Sequence, residues 1–326
     1  MRLFSLFTRS ASICKINTFG DIIVMDVSLR NRFTLRRPIG RLIGAVVYLN
    51  IPSISFWEFH PMSVAYSHGN HLVFYIKKTG TGCSWTHQLV NLLYYHDRRI
   101  RIEGPICMEH NREVGDQGIP MVFSTTNLLR EASPVAGDSY TNRVVNTYGR
   151  NVLFVSGGVG FAGIVSYVLD LLHALERSAL HEQITVNVVC VVAEVEHLEA
   201  MRTVLSRCQQ SSLCSLHLFC TYRNHPEIKA TLPAITNGCE LPPTEDNMEL
   251  RDGDDVDMDM VLRKIPLRYS TGRPNLRNIL QSIPYKALTV FFCGPESLKQ
   301  DLRKILFEQN RDFSFHSESF DLFLIC

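Results

Sequence analysis

A glycine-rich turn is the first feature of the sequence whose residue types and spacing point to chemistry. Residues 158–163 read Gly-Val-Gly-Phe-Ala-Gly, between an apolar run at 152–156 and another at 161–175. Residues without a Cβ let the backbone approach a diphosphate, and the amino terminus of a following helix adds N–H groups and partial positive charge. The GxGxxG pattern follows an apolar run as long as a strand and begins an apolar run as long as a helix. This context predicts a dinucleotide site. Close packing of helix on strand, without a ligand, is the alternative.

The same apolar stretch is long enough to cross a bilayer, since residues 152–175 are broken only by Asp170. Its first half contains four glycines, at positions 157, 158, 160 and 163. Glycine is unfavourable in a helix interior, so a continuous membrane helix is disfavoured. We therefore expect a buried strand, a turn and a core helix, and no convincing transmembrane segment in this chain.

The elements that must position this turn alternate along the second half of the chain. Strands are predicted over 152–156, 185–192, 216–221, 288–292 and 313–316, and helices over 161–175, 198–207, 275–282 and 296–309. Strand alternating with helix is typical of a parallel sheet with helices on its faces. The acidic segment 236–264 lacks the spacing of a calcium loop and is expected to be a solvated insert.

The first third of the chain has a different pattern. Short runs at 21–27, 44–51 and 71–76 alternate apolar and polar residues and are separated by turn residues, which predicts a small antiparallel barrel. A helix is expected from about residue 84 to 95. The expected organisation is therefore a tail at 1–15, a barrel at 16–108, a polar linker at 109–149 and an α/β domain at 150–326.

The charge balance and the cysteines exclude several classes of protein. Lys plus Arg number 33 and Asp plus Glu 32, so the formal net charge of +1 gives no basic footprint for nucleic acid. Ten cysteines occur without a CxxC pair, which disfavours a zinc ribbon and a small disulfide scaffold, and no metal site is predicted. Residues 1–15 contain Arg2 and Arg9 and no acid, which suits either a transit peptide or the polar exit of a preceding membrane segment.

Six further segments, together with the glycine turn, resemble one known family. They are Glu58-Phe59-His60-Pro61-Met62-Ser63, Gly82-Cys83-Ser84-Trp85-Thr86, Glu103-Gly104-Pro105, Gly272-Arg273-Pro274-Asn275, Phe292-Cys293-Gly294-Pro295 and Phe313-Ser314-Phe315-His316-Ser317-Glu318-Ser319-Phe320. In this order and spacing the chain resembles the cytosolic dehydrogenase half of the ferric-chelate reductase and NADPH oxidase family, over residues 16–320 apart from 106–149 and 236–264. The resemblance implies an antiparallel six-stranded FAD-binding barrel followed by a parallel-sheet NAD(P)H-binding domain of the ferredoxin reductase type.

For FAD, the resemblance implies two contact segments. The family's His-Pro-Phe-Ser/Thr element lies along the flavin, and its Gly-x-Trp-Thr turn cradles the FAD pyrophosphate. The matching positions here are His60, Pro61, Met62 and Ser63, and Gly82, Ser84, Trp85 and Thr86. Ser63 would hydrogen-bond the isoalloxazine edge as a catalytic residue, His60 would donate to the ribityl or phosphate side, and Met62 replaces an aromatic ring. The hydroxyls and N–H groups at this helix start would be phosphate partners.

For the nicotinamide nucleotide, the resemblance implies contacts along one edge of the second sheet. The positions are Gly157, Gly158, Val159 and Gly160 for the pyrophosphate, Arg273 with Pro274 and Asn275 near the adenosine ribose, Cys293 and Gly294 against the nicotinamide, and Phe320 as the aromatic cover of the flavin. Cys293 is the second predicted catalytic residue, and a buried structural cysteine is the alternative. The family often has an arginine near position 193, where this chain has Ala193-Glu194. An acid there favours ribose hydroxyls over a 2′-phosphate, so we predict a weak NADPH preference, with NADH possible and Arg273 opposing Glu194.

The implied reaction is hydride transfer from the nicotinamide to the flavin, then release of single electrons to haem, ferric chelate or dioxygen. In the family, histidine pairs on membrane helices hold the haems, and no such pair lies on an apolar span here. The haem part is therefore expected on a missing or separate membrane segment or subunit, with this module at the cytosolic face. A catalytically silent flavin- and nucleotide-binding regulator is the alternative, favoured by Ala162-Gly163 where the family has Thr-Pro. An ordinary dehydrogenase would leave the first third without a role.

Overall fold

The computed structural model describes residues 9–29, 44–68, 70–92, 99–107, 112–114, 149–176, 184–221, 239–241, 266–283 and 287–318. Most of the predicted linker at 109–149 and most of the acidic insert at 236–264 lie outside these residues. Phe320 also lies outside them, so its predicted role as a flavin cover stays a prediction.

Seven strands and one short helix make up the described first part of the chain. The strands are β1 Arg9–Phe19, β2 Ile22–Leu29, β3 Ala45–Asn50, β4 His60–Ser63, β5 Tyr66–His68, β6 His71–Lys77 and β7 Arg99–Cys107, and the helix is α1 Trp85–Asn91. They pair antiparallel in the order β4-β3-β7-β1-β2-β6-β5. Along β2 buried and half-buried residues alternate, as expected for a strand with one face on a core.

The predicted architecture, an antiparallel sheet followed by a parallel one, is confirmed, with seven described strands in the first sheet where six were expected. Strand β1 begins at Arg9, inside the segment 1–15 that was expected to be a tail. It pairs with both β2 and β7, so its residues lie in the middle of the sheet. A shift of register between Ile13 and Lys15 breaks its alternation, which hides the strand from a pattern of period two.

The second sheet is built from eight described strands. They are β8 Arg112–Val114, β9 Asn151–Gly157, β10 Thr185–Val192, β11 Cys214–Cys220, β12 Cys239–Leu241, β13 Leu267–Thr271, β14 Leu288–Cys293 and β15 Phe313–Glu318. Their order is β12-β13-β11-β10-β9-β14-β15-β8. The inner six strands are parallel, while the two edge strands pair antiparallel with their neighbours. Because the six inner strands run the same way, their carboxyl ends lie along one edge of the sheet, where ligands of open α/β sheets bind.

Helices follow most of these strands. They are α2 Phe161–Glu176, α3 Val195–Ala200, α4 Arg202–Gln210, α5 Leu276–Ser282 and α6 Glu296–Glu308, and a 3-10 turn at Gly158–Gly160 precedes α2. The predicted strands and helices of this half are found close to their expected bounds, except that the helix expected at 198–207 is two helices that meet at Met201. Among described helices, Gly158–Glu176 alone is long and apolar enough to cross a membrane, and 72% of that stretch is buried inside the protein.

The two sheets share a buried interface. Ile22 and Tyr75 of the first sheet belong to the same apolar cluster as the residues beneath α2. The backbone N–H of Gly44 donates to Ser166 Oγ on α2 at 3.0 Å, and this bond is buried. In the turn between β1 and β2, Asp21 Oδ1 lies 2.5 Å from Nε2 of the buried His197 on α3. These contacts fix how the sheets face each other.

Candidate functional site

Two strand–helix turns touch at the carboxyl ends of β9 and β14, and glycines make the contact possible. A Cβ built on Gly157 would collide with Cδ of Pro295, and one built on Gly160 would collide with the carbonyl oxygen of Cys293. A Cβ on Gly294 would lie 2.7 Å from the backbone nitrogen of Gly157. These three glycines therefore serve close packing, the alternative that the sequence left open for the turn.

Gly158 differs from its neighbours in the same turn. Its φ of +58° is in the left-handed region, which favours glycine, and a Cβ built there would meet no atom within 4 Å. Gly158 therefore presents its backbone to open space immediately before α2, while the half-buried Val159 packs against the apolar cluster beneath α2. Of the three glycines predicted to hold the pyrophosphate, Gly158 is the one whose surroundings leave room for it.

Cys293 is the last residue of β14, and its side chain is completely buried in the apolar cluster beneath α2. A nicotinamide ring arriving from solvent could reach the half-buried Gly294 and the exposed Pro295 beside it. The predicted contact between the Cys293 thiol and the nicotinamide therefore requires a movement from this arrangement. The geometry favours the alternative of a structural cysteine.

The predicted ribose-binding loop lies farther along the same edge, after β13. Gly272 has a φ of +91°, and its N–H donates to the carbonyl of Cys220 at 2.8 Å. Thr221, after β11, donates in the same way to Val192 at the end of β10 at 2.9 Å. These bonds tie the ends of three neighbouring strands together. Arg273 follows and is exposed, so its guanidinium is accessible to a solvated phosphate.

Asn275, predicted to contact the cofactor, has a defined structural role. It is the N-cap of α5, and its Oδ1 accepts a hydrogen bond from the N–H of Asn278 at 3.1 Å. The preceding Pro274 is half-buried. Capping thus accounts for the asparagine of the Gly-Arg-Pro-Asn segment without a ligand, and a nucleotide contact by Asn275 stays a prediction.

We expect Asn275→Ala to lower the free energy of unfolding by about 1 kcal/mol, because one N–H of the first helical turn loses its acceptor. Asn275→Ser is the matched variant, since its hydroxyl can still cap and should restore most of the loss. Urea unfolding measures both variants. An Asn275→Ala protein as stable as the wild type would contradict the capping role, and a raised KM for NADPH in both variants would support the nucleotide contact.

Glu194 lies just after β10, where it is the N-cap residue of α3, and makes no side-chain cap bond there. Its carboxylate is 41% exposed, with Oε2 3.8 Å from Nε2 of His197. A Cβ built on Gly20 of the first domain would lie 3.1 Å from the same oxygen. Glu194 therefore lies at the carboxyl edge of the second sheet and also at the interface with the first.

The predicted flavin strand and the predicted phosphate turn come together in the first domain. Residues 60–63 form β4, an edge strand paired with β3, and each of them is half-buried. The imidazole of His60 lies against the indole of Trp85 with ring centroids 4.3 Å apart, and Met62 packs on the barrel core. The indole Nε1 of Trp85 is buried and has no acceptor within the described part of the chain.

In the turn before α1, the two predicted phosphate-binding hydroxyls are used internally. Ser84 Oγ and Thr86 Oγ1 both donate to the carbonyl of Thr79, at 2.6 Å and 3.0 Å. The surface that remains for an anion is main chain: Gly82 and Cys83 are the exposed central residues of the turn, and a Cβ on Gly82 would meet nothing within 4 Å. Of the hydroxyls and N–H groups predicted as phosphate partners, this arrangement favours the N–H groups of the main chain.

Sequence reasoning missed the residues that join the two halves of the site. Gly44, Ser166, Asp21 and His197 make contacts between distant parts of the chain, and none belongs to a local pattern. A glycine directly before an apolar strand, as at Gly44, is the one weak signal, because it can mark a backbone in the left-handed region.

These residues fit the two expected cofactors. Gly82 and Gly158 each leave open space over exposed or half-buried backbone, one in each domain, which suits a pyrophosphate. Rings could lie against the edge strand β4 in the first sheet and against the carboxyl ends of the central strands β9 and β14 in the second. Both surfaces are partly apolar. FAD would be held by residues 60–63 and 82–86, and a nicotinamide nucleotide by the turn at 157–160 with Arg273 and Gly294.

Comparison with known families agrees with this division. Residues 11–114 match the model of an FAD-binding domain, and residues 149–306 match that of the ferric reductase NAD-binding domain. Respiratory burst oxidase homolog protein B of Solanum tuberosum is 22% identical over an alignment 359 positions long, which covers 98% of this chain and 36% of the relative. The chain thus spans about a third of the length of the curated relative it matches.

Solved structures show the same fold at low sequence identity. A cytochrome P450 reductase, GcoB, of Amycolatopsis superposes with a TM-score of 0.53 at 14% identity, covering 96% of this chain and 69% of that one. The CS-b5R domains of human Ncb5or give 0.52 at 13% identity, with 97% and 70% covered. A flavohemoglobin of Malassezia yamatoensis, whose structure holds FAD and heme, gives 0.51 at 14%, with 96% and 60% covered.

Proposed function

Since the chain belongs to the ferric reductase and NADPH oxidase family, as its FAD- and NAD(P)H-binding part, we propose that it takes a hydride from NAD(P)H and delivers single electrons to an acceptor outside the chain. The observation that carries the proposal is the pair of open glycine turns, Gly82 and Gly158, on two sheets that a buried interface holds together.

When bound, FAD would supply the redox chemistry, since a flavin can accept two electrons as a hydride and release them singly. The chain's own residues bind and orient. His60 and Trp85 hold β4 against the turn that carries Gly82, so that Ser63 can donate to the edge of the flavin. Gly158 and Arg273 would hold the phosphates of the nucleotide, and its nicotinamide would lie against the half-buried Gly294. Cys293 serves as packing beneath that surface.

The interface supports this proposal because hydride transfer requires two rings in contact and water excluded from between them. The bond from Gly44 to Ser166 and the apolar cluster around Tyr75 keep the carboxyl edge of the second sheet at a set position relative to the barrel. We propose two domains, a barrel over residues 9–107 and an α/β domain from 149 onward. The interface lets them hold the two rings in contact as one unit.

The test is the visible absorption spectrum of the purified chain, with and without added FAD, before and after anaerobic NADPH. We expect a bound yellow chromophore that NADPH bleaches. Gly82→Val should weaken FAD binding by about tenfold or more without unfolding the chain, since the space around Gly82 is open. Ser212→Val, an exposed turn residue of the other domain, is the matched control. A folded chain that takes up no FAD would refute the proposal, and FAD that NADPH fails to bleach would favour a silent regulator.

We propose that the natural acceptor is a haem on a membrane segment or subunit outside these residues, with the chain on the cytosolic side. The family relationship supports this, and ferric chelate and dioxygen are the other acceptors that the family uses. Anaerobic reduction of an Fe(III) chelate, followed with an Fe(II)-trapping dye, and oxygen uptake in air separate these two routes. Both should be slow beside bleaching of the flavin by NADPH if haem is the acceptor.

We predict a weak preference for NADPH over NADH, because the carboxylate of Glu194 repels a 2′-phosphate that Arg273 attracts. Steady-state kcat/KM for the two nucleotides measures it, and Glu194→Gln should raise the NADPH to NADH ratio while Arg273→Gln lowers it. A wild-type preference of more than about 100-fold, worth about 2.7 kcal/mol, would contradict the prediction.

A further inference from the structure

Three side chains on the first sheet, none of them assigned above to FAD or the nucleotide, form a cluster with the composition of a metal site. They are Asp26 on β2, His68 at the end of β5 and His71 at the start of β6, and one ligand atom from each lies within 4.8 Å of the others. Two imidazole nitrogens and a carboxylate oxygen are a donor set that suits Zn²⁺ and neighbouring divalent transition metals.

The backbone holds this cluster on one face of three adjacent strands. His68 and His71 are direct partners across the β5–β6 pair, and His71 is in turn the partner of Ser28 on β2. Asp26 is two residues from Ser28 and pairs with Val73. Because paired residues, and residues two apart, point to the same side of a sheet, the three side chains share a face. Hydrogen-bonded ladders on both sides of β6 fix their spacing in advance.

The distances suit a single ion. Asp26 Oδ1 lies 2.8 Å from His71 Nδ1, and Asp26 Oδ2 lies 3.8 Å from His68 Nε2. Two ligands of a tetrahedral ion with bonds of about 2.0–2.1 Å are separated by about 3.3 Å, between these two values. The imidazoles are nearly parallel, 9° apart with centroids at 5.0 Å, so binding one ion requires the rings to rotate until their in-plane lone pairs meet beside the carboxylate.

The cluster is also accessible. The side chains of Asp26, His71 and His68 are 24%, 33% and 50% exposed, so an ion can enter from solvent and water can complete its coordination. We propose that Asp26, His68 and His71 bind one divalent transition metal ion of the zinc class, with solvent in the remaining position.

Such an ion would join β2 to the β5–β6 hairpin. Tyr66 on β5 packs against the apolar cluster that links the first sheet to α2. A metal at this point would therefore stabilise the barrel and the hairpin that contacts the second sheet, since a ligand that binds only the folded state raises its stability.

The test uses the full chain with FAD bound and Zn²⁺ as the probe. Equilibrium dialysis with elemental analysis should give one tightly bound ion per chain, and saturating Zn²⁺ should raise Tm. Removal of one ligand should weaken this binding by about 100-fold or more in each of Asp26→Asn, His68→Gln and His71→Gln. His173→Gln, which changes an exposed histidine on α2, should bind like the wild type.

A second measurement does not depend on the variants being folded. Cu²⁺ added to the wild type below one equivalent should give an EPR spectrum with splitting from two imidazole nitrogens. A spectrum with thiolate coordination or a single nitrogen would overturn the proposal. Unchanged zinc affinity in all three cluster variants would do the same, because the ion would then lie elsewhere.

Discussion

Gly44→Ala should slow NADPH-driven reduction of the bound flavin by about tenfold or more, because small misplacements of reacting groups are costly. A Cβ at this position would collide with Oη of Tyr167 on α2, and would lie 2.7 Å from Cζ of the same ring. Gly44 also has a φ of +60°, which alanine adopts at a cost of about 1–2 kcal/mol. A shift of the Tyr167 ring or a change of the backbone at residue 44 would also strain the hydrogen bond from the Gly44 N–H to Ser166 Oγ.

The measurement is stopped-flow bleaching of the flavin under anaerobic conditions, alongside FAD affinity by fluorescence. FAD affinity should change little, because Gly44 lies at the interface between the sheets and not at the turn carrying Gly82. Tyr167→Phe in the Gly44→Ala background removes the nearest colliding atom and should recover part of the rate. Gly20→Ala is the comparison: it also lies at the interface, with a φ of +58°, but its nearest atom, Glu194 Oε2, belongs to a flexible side chain and not to a ring. A Gly44→Ala protein with wild-type bleaching would show that the interface does not set the geometry.

The parallel sheet was predictable from the sequence because its strands are buried on both faces. Strands such as β9 and β10 are nearly continuous apolar runs, and the helices between them have the length and periodicity of core helices. The sequence pattern did not predict strand β1 because its inward residues, Ala11, Ile13 and Ile16, are not evenly spaced. The register shift after Ile13 moves the last of them by one position. Period-two patterning does not detect a strand interrupted in this way.

The candidate site was predicted as a set of segments, and the structure refines what individual side chains do. The hydroxyls of Ser84 and Thr86 close their own turn, and Asn275 caps its helix. A short polar side chain near a turn bonds to nearby backbone whether or not a ligand is present, so residue type alone does not distinguish the two uses. The interface between the sheets could not be predicted, because contacts such as Gly44 with Ser166 join residues far apart in the chain.

The metal cluster likewise could not be predicted from local sequence patterns. His68 and His71 are three residues apart, a spacing that is common and carries little information without a helix or a loop of known shape. Only the pairing of β5 with β6, and of β6 with β2, brings Asp26 to them. A ligand set assembled across three strands has no local signature in the sequence, unlike a CxxC pair.

Gly160→Ala should lower the free energy of unfolding by about 3 kcal/mol, in the upper range for overpacking, because the colliding atoms are backbone. The new Cβ would strike the carbonyl oxygen of Cys293 and lie 2.7 Å from its carbonyl carbon. Strands β9 and β14 are paired through Ser156 and Cys293, so relief requires separating the two strand ends that form the proposed nicotinamide surface. Urea unfolding without cofactors measures the loss.

Gly158→Ala is the comparison within the same turn. Its new Cβ meets no atom within 4 Å, so it should cost only about 1–2 kcal/mol of left-handed backbone strain. An equal loss of unfolding free energy in the two variants would contradict this prediction. It would show that the two turns can move apart at little cost and that their packing does not require Gly160.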